Sequence, residues 1–371
     1  MWSPSLYTNY NIMRAAVVIL NWNGAPFLKK YLPILIESTP EDIGTIYVAD
    51  NGSTDGSVEM LKSEYPNVKL IEFDKNYGFT GGYNRALAQI DTEFYVLINS
   101  DIRVSMGWLN SIIDFMDNSP ECGICMPKIL SEARHQEIMH NTSGNAGLNE
   151  QFEYAGACGG FIDRFGYPFC RGRILSNVED DCGQYDNPME IFWASGACMI
   201  VRSHIYKQLG GLDESFFAHM EEIDFCWRAK LMGHHSWVVP KSIVYHVGGG
   251  TLPNNSPRKL YLNYRNNLLM LYKNLPYRKD DKRSVIRRNT TIFIRMCIDM
   301  LSAFAYLLQG KFSFFKAVLT AHRDFCKMKR STNKSNRCIS YTNSYMRYLS
   351  GVYNRSIILR FFTGCKKFSS L

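Results

Sequence analysis

The sequence predicts an α/β fold with a mostly parallel central sheet and helices on both faces. Its first hundred residues contain four short apolar runs, at 15–20, 44–50, 67–73 and 93–99. Runs of this length, separated by helical patterns, are typical of a doubly wound parallel sheet whose strands are buried on both faces. The composition agrees, because 371 residues with 46% hydrophobic and 20% charged residues exclude disordered and low-complexity classes.

Helical stretches connect these strands around 25–37, 56–64 and 81–90. Strand–helix–strand units of this kind place successive strands parallel to one another. Ligands of such sheets bind beyond the carboxyl ends of the strands. The residues that follow each strand are therefore the first candidates for a functional site.

The middle of the chain departs from this alternation. Residues 131–190 are rich in Gly, Asp, Asn and Cys, which predicts an irregular insertion with long loops, and such loops are often functional. After this insertion the sequence predicts regular secondary structure again: a strand at 191–201, a helix at 203–209 and a second helix from about 220. Two short strands are predicted after them, at 236–240 and 242–246.

Charge divides the chain into two parts. The net charge is +8, but residues 256–371 carry +20 and the first 255 residues carry −12. We predict an N-terminal extension at 1–13, a catalytic domain at 14–255 and a basic helical region at 256–371. Met13 is an alternative start, and the first residues lack the basic start and apolar run of a signal peptide.

The basic rear region carries an amphipathic pattern. Apolar side chains recur at helical spacing from Leu260 to Leu275, and 291–310 is the most apolar stretch, interrupted by Arg295 and Asp299. These helices either pack on the catalytic domain or lie on an anionic membrane surface, and the excess of basic residues favours the membrane. No nucleic-acid recognition motif accompanies them.

Cysteine usage indicates reduced thiols in a cytoplasmic protein. There are eleven cysteines, and Cys122 and Cys125 form the only close pair. A zinc site would show a second pair or His ligands at short spacing.

Polar motifs follow three of the predicted strands. An acid at a strand end, such as Asp50, accepts hydrogen bonds from a ribose or base, and glycines let a ligand approach the backbone. A carboxylate such as that of Asp101 suits Mg²⁺ or Mn²⁺ together with diphosphate oxygens. Each motif taken alone is also compatible with an ordinary capped turn. The three motifs are Asp50-Asn51-Gly52-Ser53, Asn76 to Asn84 with Gly81 and Gly82, and Asn99-Ser100-Asp101.

Two further motifs lie near the end of the predicted catalytic domain. Glu221, Glu222 and Asp224 stand among aromatic and aliphatic residues, and an apolar environment raises a carboxylate pKa as a general base requires. The alternative is a favourable interaction with a helix dipole. His246 ends a strand before three glycines, so it is either a metal or phosphate ligand or a satisfied polar residue.

The first strand is followed by NWNGAP, which is neither a dinucleotide fingerprint nor a phosphate-binding loop with its lysine. This disfavours NAD-dependent enzymes and P-loop ATPases. It also disfavours a sugar nucleotidyltransferase, which would carry a basic, glycine-rich triphosphate loop near its N-terminus.

Taken together and in order, these pieces resemble the family 2 glycosyltransferases with a GT-A fold, in the bacterial rhamnosyltransferase-like branch. The resemblance covers about Arg14 to Thr251. It rests on the segments VVILNWNG, VADNGSTDGS, NYGFTGGYN, LINSD, FWASGACMIVR, GGLDESFFAHMEEIDFCWR and VYHVGGGT.

The resemblance implies roles for individual residues. Glu222 is the expected catalytic base, within a pair with Glu221 and close to Asp224, while Asp101 and His246 hold Mg²⁺ or Mn²⁺. Asn99 departs from the usual Asp-x-Asp pattern, which leaves the metal with fewer protein charges. The nucleotide-sugar residues are Asn21, Asp50, Asn51, Ser53, Asn76, Gly81, Gly82, Asn84, Asn99, Ser100 and Asp101. The acceptor-side candidates are Trp193, Ser195, Gly196, Arg171 and Arg173.

The implied activity is an inverting transfer of a sugar, with rhamnose among the candidates, from a dTDP- or UDP-sugar. The acceptor would be a cell-surface glycan, lipid-linked, at the inner face of the membrane. The alternative is a non-catalytic nucleotide-sugar-binding or scaffold protein, for which Asn99 is the one supporting feature.

Overall fold

The structure is a computed structural model that describes residues 13–140, 148–248, 256–276, 281–332 and 346–371. The strands are β1 (Ala15–Asn21), β2 (Gly44–Asp50), β3 (Lys69–Glu72), β4 (Phe94–Ile98), β5 (Ile102–Val104), β6 (Cys122–Ser131), β7 (Glu150–Gln151), β8 (Gly160–Asp163), β9 (Pro168–Cys170), β10 (Arg173–Ile174), β11 (Asn177–Val178), β12 (Asp180–Asp181), β13 (Met189–Ile191), β14 (Cys198–Arg202), β15 (His235–His246) and β16 (Val352–Tyr353). The α-helices are α1 (Ala25–Ser38), α2 (Ser57–Glu64), α3 (Gly78–Leu87), α4 (Trp108–Asp117), α5 (Glu132–His140), α6 (Ser203–Gln208), α7 (Glu221–Leu231), α8 (Pro257–Asn274), α9 (Lys282–Leu308), α10 (Phe312–Thr332) and α11 (Ile357–Phe362).

The predicted α/β architecture is confirmed by the central sheet. Its strand order is β13-β15-β6-β14-β4-β1-β2-β3, with β5 beside β15. Strands β3, β2, β1 and β4 run parallel, whereas β14 is antiparallel to both of its neighbours. The carboxyl ends of β1 and β2 are level, since Asn21 stands opposite Asp50. Because β1 lies between β2 and β4, the crevice where ligands bind such sheets lies at the ends of these three strands.

The predicted pair of strands at 236–240 and 242–246 is in fact one strand, β15. It pairs in parallel with β6 along its length, with a register shift between Val239 and Ile243. Pro240 lies within that shift, and a proline has no N–H to donate to the ladder. The proline therefore produces an irregularity in the strand and does not end it.

The predicted irregular insertion forms a small sheet of its own. Its strand order is β11-β10-β9-β8-β16, and β16 comes from the C-terminal end of the chain. The Ile162 amide donates to the Gly351 carbonyl at 3.1 Å, just before β16. A Cβ at Gly351 would lie 2.2 Å from the Phe192 backbone nitrogen, so this crossing requires glycine. The end of the basic region thus completes the sheet of the insertion, which the sequence analysis did not anticipate.

Helix α9 docks on the protein through its charged residues. The Arg295 Nε donates to Asp299 Oδ1 at 2.8 Å, and both residues are buried. Tyr167 donates to the same oxygen at 3.1 Å, and Arg295 Nη1 donates to Asn267 Oδ1 at 2.6 Å. The two charges that interrupt the apolar stretch therefore face the protein. Within the described ranges α9 is the single helix long and apolar enough to cross a membrane.

The Arg295–Asp299 pair provides a test of this docking. Asp299→Asn leaves the buried Arg295 charge without its counter-ion, and loss of one partner of a buried pair costs about 3–5 kcal/mol. We expect the free energy of unfolding in urea to fall by about 3 kcal/mol. Lys62→Ala is the matched control, since its pair with Glu72 is exposed and is expected to contribute less than about 1 kcal/mol. Equal losses in the two variants would contradict the proposed docking.

Candidate active site

The ends of β1 and β2 are held together by a buried hydrogen-bond network. Asn21 Nδ2 donates to Asp50 Oδ2 at 2.9 Å and to Ser53 Oγ at 3.2 Å. The Ser53 amide donates to Asp50 Oδ1 at 2.8 Å. Asn21 Oδ1 is buried without a hydrogen-bond partner among the described residues. The corner is thus rigid and presents an acceptor oxygen, as a pocket for a nucleoside requires.

Gly24 lies between this corner and the end of β4. A Cβ at Gly24 would lie 2.5 Å from Asn21 Oδ1 and 3.3 Å from Ser100 Oγ. Ser100 follows β4, and the preceding Asn99 donates its amide to the Ala197 carbonyl at 3.0 Å. The sequence-predicted residues Asn21, Asp50, Ser53 and Ser100 are therefore neighbours at one edge of the sheet.

Asn51 and Asn76 shape the loop that leads into α3. The Tyr77 amide donates to Asn51 Oδ1 at 2.9 Å, and Asn51 Nδ2 donates to Asn76 Oδ1 at 3.1 Å. The Gly78 amide also donates to Asn76 Oδ1, at 2.7 Å. Both side chains are therefore engaged within the loop itself.

The rest of the predicted diphosphate-side loop lies inside α3, where packing explains the residue types. A Cβ at Gly82 would lie 2.6 Å from the Leu20 side chain. Asn84 Oδ1 accepts from the Tyr206 hydroxyl at 2.7 Å and the Leu212 amide at 2.9 Å. Gly81 is buried in the same helix. A diphosphate-binding role for Gly81, Gly82 and Asn84 stays a prediction.

The first amides of α3 face a protein carbonyl. The backbone amides of Phe79 and Thr80 both donate to the Phe217 carbonyl, at 2.9 Å and 3.3 Å respectively. The turn before α7 is therefore fixed against the N-terminus of α3.

Asp101 and His246 meet at the same edge of the sheet. His246 is paired across β5 and β15 with Ile102, and its Nε2 lies 3.2 Å from Asp101 Oδ1. Its Nδ1 lies 3.4 Å from Glu153 Oε2, and all three groups are buried. Burial alone lowers the pKa of His246, but the carboxylates of Asp101 and Glu153 outweigh it and raise the pKa to about 10.

Glu153 was missed by the sequence analysis. It lies in the irregular segment after β7, where no motif or periodicity marks it. Only the fold of the insertion brings it to His246.

The donor set of Asp101 and His246 fits a divalent metal in part. Asp101 Oδ1 and His246 Nε2 lie 3.2 Å apart, and a carboxylate oxygen and an imidazole nitrogen are both ligands that divalent metals accept. Within the described residues no group of three or more His, Cys, Asp or Glu side chains is arranged to hold a metal. A metal here would therefore take its other ligands from a bound diphosphate and water, as Mg²⁺ and Mn²⁺ commonly do.

The carboxylates of α7 differ sharply in their surroundings. Burial raises the pKa of Glu222 to about 7, although the backbone amides at the start of α7 stabilise the charged form. Burial, followed by the neighbouring Glu222 charge, raises the pKa of Glu221 well above its usual value. One oxygen of each is buried without a hydrogen-bond partner in the described part of the chain. At neutral pH Glu222 is the group poised to accept a proton.

The structure argues against a catalytic role for Asp224. Its Oδ2 accepts from Arg228 Nε at 2.8 Å and its Oδ1 from Asn274 Nδ2 at 2.7 Å, and it is fully buried. Asp224 therefore ties α7 to α8 and cannot reach a substrate.

Among the acceptor-side candidates, Gly196 lies against Glu222. A Cβ there would lie 3.7 Å from the Glu222 Cβ and 3.4 Å from the Phe79 ring. Gly196 thus places Glu222 next to the Asn99 end of β4, because Ala197 bonds to Asn99.

The other four acceptor-side candidates are buried and engaged within the protein, which corrects their assignment. Trp193 Nε1 donates to the Phe161 carbonyl at 2.9 Å, and Ser195 Oγ donates to the Ala155 carbonyl at 2.5 Å. Arg171 Nη1 donates to the Asn187 carbonyl at 3.0 Å. The Arg173 guanidinium lies 4.4 Å from the centre of the Tyr154 ring. These side chains support the insertion.

Comparison with known proteins agrees with this geometry. Residues 16–174 match the sequence model of glycosyl transferase family 2. The chain is 25% identical over 241 residues to the N-acetylglucosaminyl-diphospho-decaprenol L-rhamnosyltransferase of Mycobacterium tuberculosis, covering 62% of this chain and 75% of that protein. It is 22% identical over 223 residues to the low-salt glycan biosynthesis hexosyltransferase Agl10 of Haloferax volcanii, covering 58% of this chain and 61% of that one.

The fold is also found in a solved structure. GalNAc-T7, crystallised with UDP, GalNAc and Mn²⁺, superposes with a TM-score of 0.52 and 14% identity, over 79% of this chain and 58% of that one. This likeness establishes the GT-A fold. The family match and the curated relatives support a glycosyltransferase, similar to those of family 2 and to the rhamnosyltransferase-like branch among them.

Proposed function

We propose that this chain transfers a sugar from a nucleotide-diphosphate sugar to a lipid-linked glycan acceptor, with inversion at the anomeric carbon. The observation that carries the proposal is the meeting of Asp101 and His246 at the sheet edge that also holds the Asn21–Asp50 corner. Glu222 lies beside this edge, against Gly196. Side by side along this edge, the arrangement offers a pocket for a nucleoside, a place for a metal-bound diphosphate and a carboxylate.

The nucleotide half of the site is already rigid. Asp50 is oriented by both Asn21 and Ser53, so it can accept a base N–H or ribose hydroxyl without rearrangement. We propose dTDP- or UDP-sugars as donors. L-rhamnose is the first sugar to test, since the name of the mycobacterial relative specifies it.

The metal is proposed as Mg²⁺ or Mn²⁺, held by Asp101 and His246. When bound, it would neutralise the charge that develops on the departing diphosphate. Glu153, behind His246, would orient the imidazole, as outer carboxylates commonly do for metal-ligating histidines.

Glu222 is the proposed general base. Its unprotonated carboxylate takes the proton from the acceptor hydroxyl as that oxygen attacks the anomeric carbon. The bond to the diphosphate breaks in the same displacement, which inverts the configuration. Burial and the adjacent Glu222 charge raise the pKa of Glu221 well above its usual value. Glu221 therefore holds its proton more tightly than Glu222 and is the less suitable base.

The exposed surface of α9 and α10 is proposed to dock on an anionic membrane at the cytoplasmic face. Apolar side chains line one side of α9, with Leu301 70% and Leu308 90% exposed. The residues that share this exposed apolar surface are Ile286, Phe293, Leu301, Phe304, Leu308 and Phe312. The same helices and the turn between them carry exposed basic residues, among them Lys282, Arg287 and Lys311, and an apolar face combined with basic residues is typical of interfacial helices. A lipid-linked acceptor would lie in that membrane.

Glu222→Gln should abolish sugar transfer, with at least a thousandfold loss in kcat, because an amide cannot accept the acceptor proton. Binding of the nucleotide diphosphate, measured by calorimetry, should persist. Glu221→Gln is the matched control and should retain most activity. If Glu221→Gln abolishes transfer and Glu222→Gln does not, the base is Glu221.

The wild-type pH profile is a second readout of the same residue. Since the base must be unprotonated, kcat/KM should rise with pH and level off above about 7, the pKa of Glu222. A rate that is flat from pH 5 to pH 8 would contradict this assignment.

Membrane docking is tested by sedimentation with vesicles of phosphatidylglycerol. Replacing Leu301 and Leu308 together with Asp should weaken partitioning at least tenfold, since each buried Leu contributes about 1.5–3 kcal/mol. Met139→Asp, at a 66% exposed site on α5, is the matched control and should bind as the wild type does. Unchanged partitioning of the double variant would exclude this surface.

A further inference from the structure

The turn that leads into α7 has an unusual backbone. Phe217, His219 and Met220 have φ angles of 67°, 69° and 71°. Left-handed conformations are rare for residues other than glycine and are strained. Such a turn persists only where the surrounding structure holds it in place.

Helix α8 supplies the groups that hold the turn. Asn266 Nδ2 lies within hydrogen-bond distance of the carbonyls of Phe216 at 3.0 Å, Ala218 at 2.7 Å and His219 at 2.7 Å. Arg265 Nη2 donates to the Phe216 carbonyl at 2.9 Å. Three carbonyls of one short turn thus converge on two adjacent side chains.

The orientation of the Asn266 amide is fixed by its surroundings. Its Oδ1 accepts from Arg265 Nε at 2.8 Å, while only carbonyl oxygens face its nitrogen in the contacts above. Asn266 is fully buried. Arg265 therefore orients the amide, and the amide in turn holds the carbonyls.

The turn connects both halves of the site. The Phe217 carbonyl accepts from the first amides of α3, and the Met220 carbonyl accepts from the Asp224 amide at 2.9 Å, the first hydrogen bond of α7. Glu222 follows Met220 by two residues. A shift of the turn would move the carboxylate and leave the Asn21–Asp50 corner in place.

We propose that Asn266 and Arg265 are positioning residues, which hold the strained 216–220 turn so that the Glu222 carboxylate faces the acceptor. This rests on the proposed role of Glu222 as the base. Neither residue touches the reacting atoms. Their contribution is to the geometry of proton transfer, where a misplacement of about 1 Å costs about a hundredfold in rate.

The test compares Asn266→Asp with Asn267→Asp in the full chain. Aspartate has the shape of asparagine but cannot donate when ionised, so Asn266→Asp sets an oxygen against three carbonyls. Asn267 is equally buried on the same helix, and its Nδ2 donates to the Gly166 carbonyl at 2.7 Å. Its contact with the turn is to the Met220 sulfur at 4.0 Å, and it binds none of the three turn carbonyls that Asn266 holds. Asn266→Asp should melt at a lower temperature than the wild type. Asn267→Asp keeps an acceptor for Arg295 Nη1, so kcat and not the melting temperature separates the two variants.

Only Asn266→Asp should lower kcat, by about a hundredfold, with the KM for the donor sugar within threefold of the wild type. Adding Met220→Gly to Asn266→Asp should recover at least tenfold of the lost kcat, since glycine adopts the left-handed conformation without strain. If Asn266→Asp does not yield folded protein, Arg265→Met serves as the milder variant and should lower kcat at least fivefold.

Equal kcat in the two aspartate variants would overturn the positioning role. An unchanged kcat in Arg265→Met would do the same where that variant replaces Asn266→Asp. If Glu222→Gln remains active, the proposal that Glu222 is the general base is wrong. The result for Glu222→Gln therefore separates failure of the base assignment from failure of the positioning role.

Discussion

The contact between the Asp101 carboxylate and the His246 imidazole is the interaction around which the site is built. It joins the segment after β4 to the end of β15, two strands that are separated in the sheet by β14 and β6. Short β5 makes the contact possible, because it turns back from Asp101 to pair with β15. Two buried ionisable groups are costly unless paired with each other or with an ion, and here each provides the other's partner.

The two halves of the site are organised by different means. The proposed nucleotide half is a set of short loops at the ends of β1, β2 and β4, fixed by side-chain hydrogen bonds such as Asn21 to Asp50. The carboxylate half depends on α7, whose entry turn is strained and is held by α8 from outside the sheet. The rear region thus packs on α7 and on its entry turn through hydrogen bonds of α8.

Much of this was predictable from the sequence. The buried strands from β1 to β4 are continuous apolar runs, and the polar residues that follow them fall at one edge because parallel strands share their direction. Glu222 stood out as an acid among aromatic residues. Asp224 stood out for the same reason, and only its partners Arg228 and Asn274 show that it is structural.

Other features depend on contacts that leave no local pattern. Glu153 comes from a segment without periodicity, and β16 pairs with β8 from nearly two hundred residues away in the chain. Trp193 is aromatic and Arg173 is charged, and both were predicted to contact the acceptor. In the folded protein both side chains are buried. Whether such a side chain is buried or exposed depends on tertiary packing, which cannot be inferred from the spacing of residue types in the sequence.

We propose that the donor diphosphate binds through a metal held by Asp101 and His246. The most direct test is the melting temperature of the wild type and of Asp101→Asn with UDP, dTDP, GDP or CMP, each with and without Mn²⁺. We expect one nucleoside diphosphate to raise the melting temperature of the wild type only when Mn²⁺ is present. We expect no such rise for Asp101→Asn. A rise that is independent of Mn²⁺ and equal in both proteins would contradict it, as would folded wild-type protein that responds to none of the nucleotides.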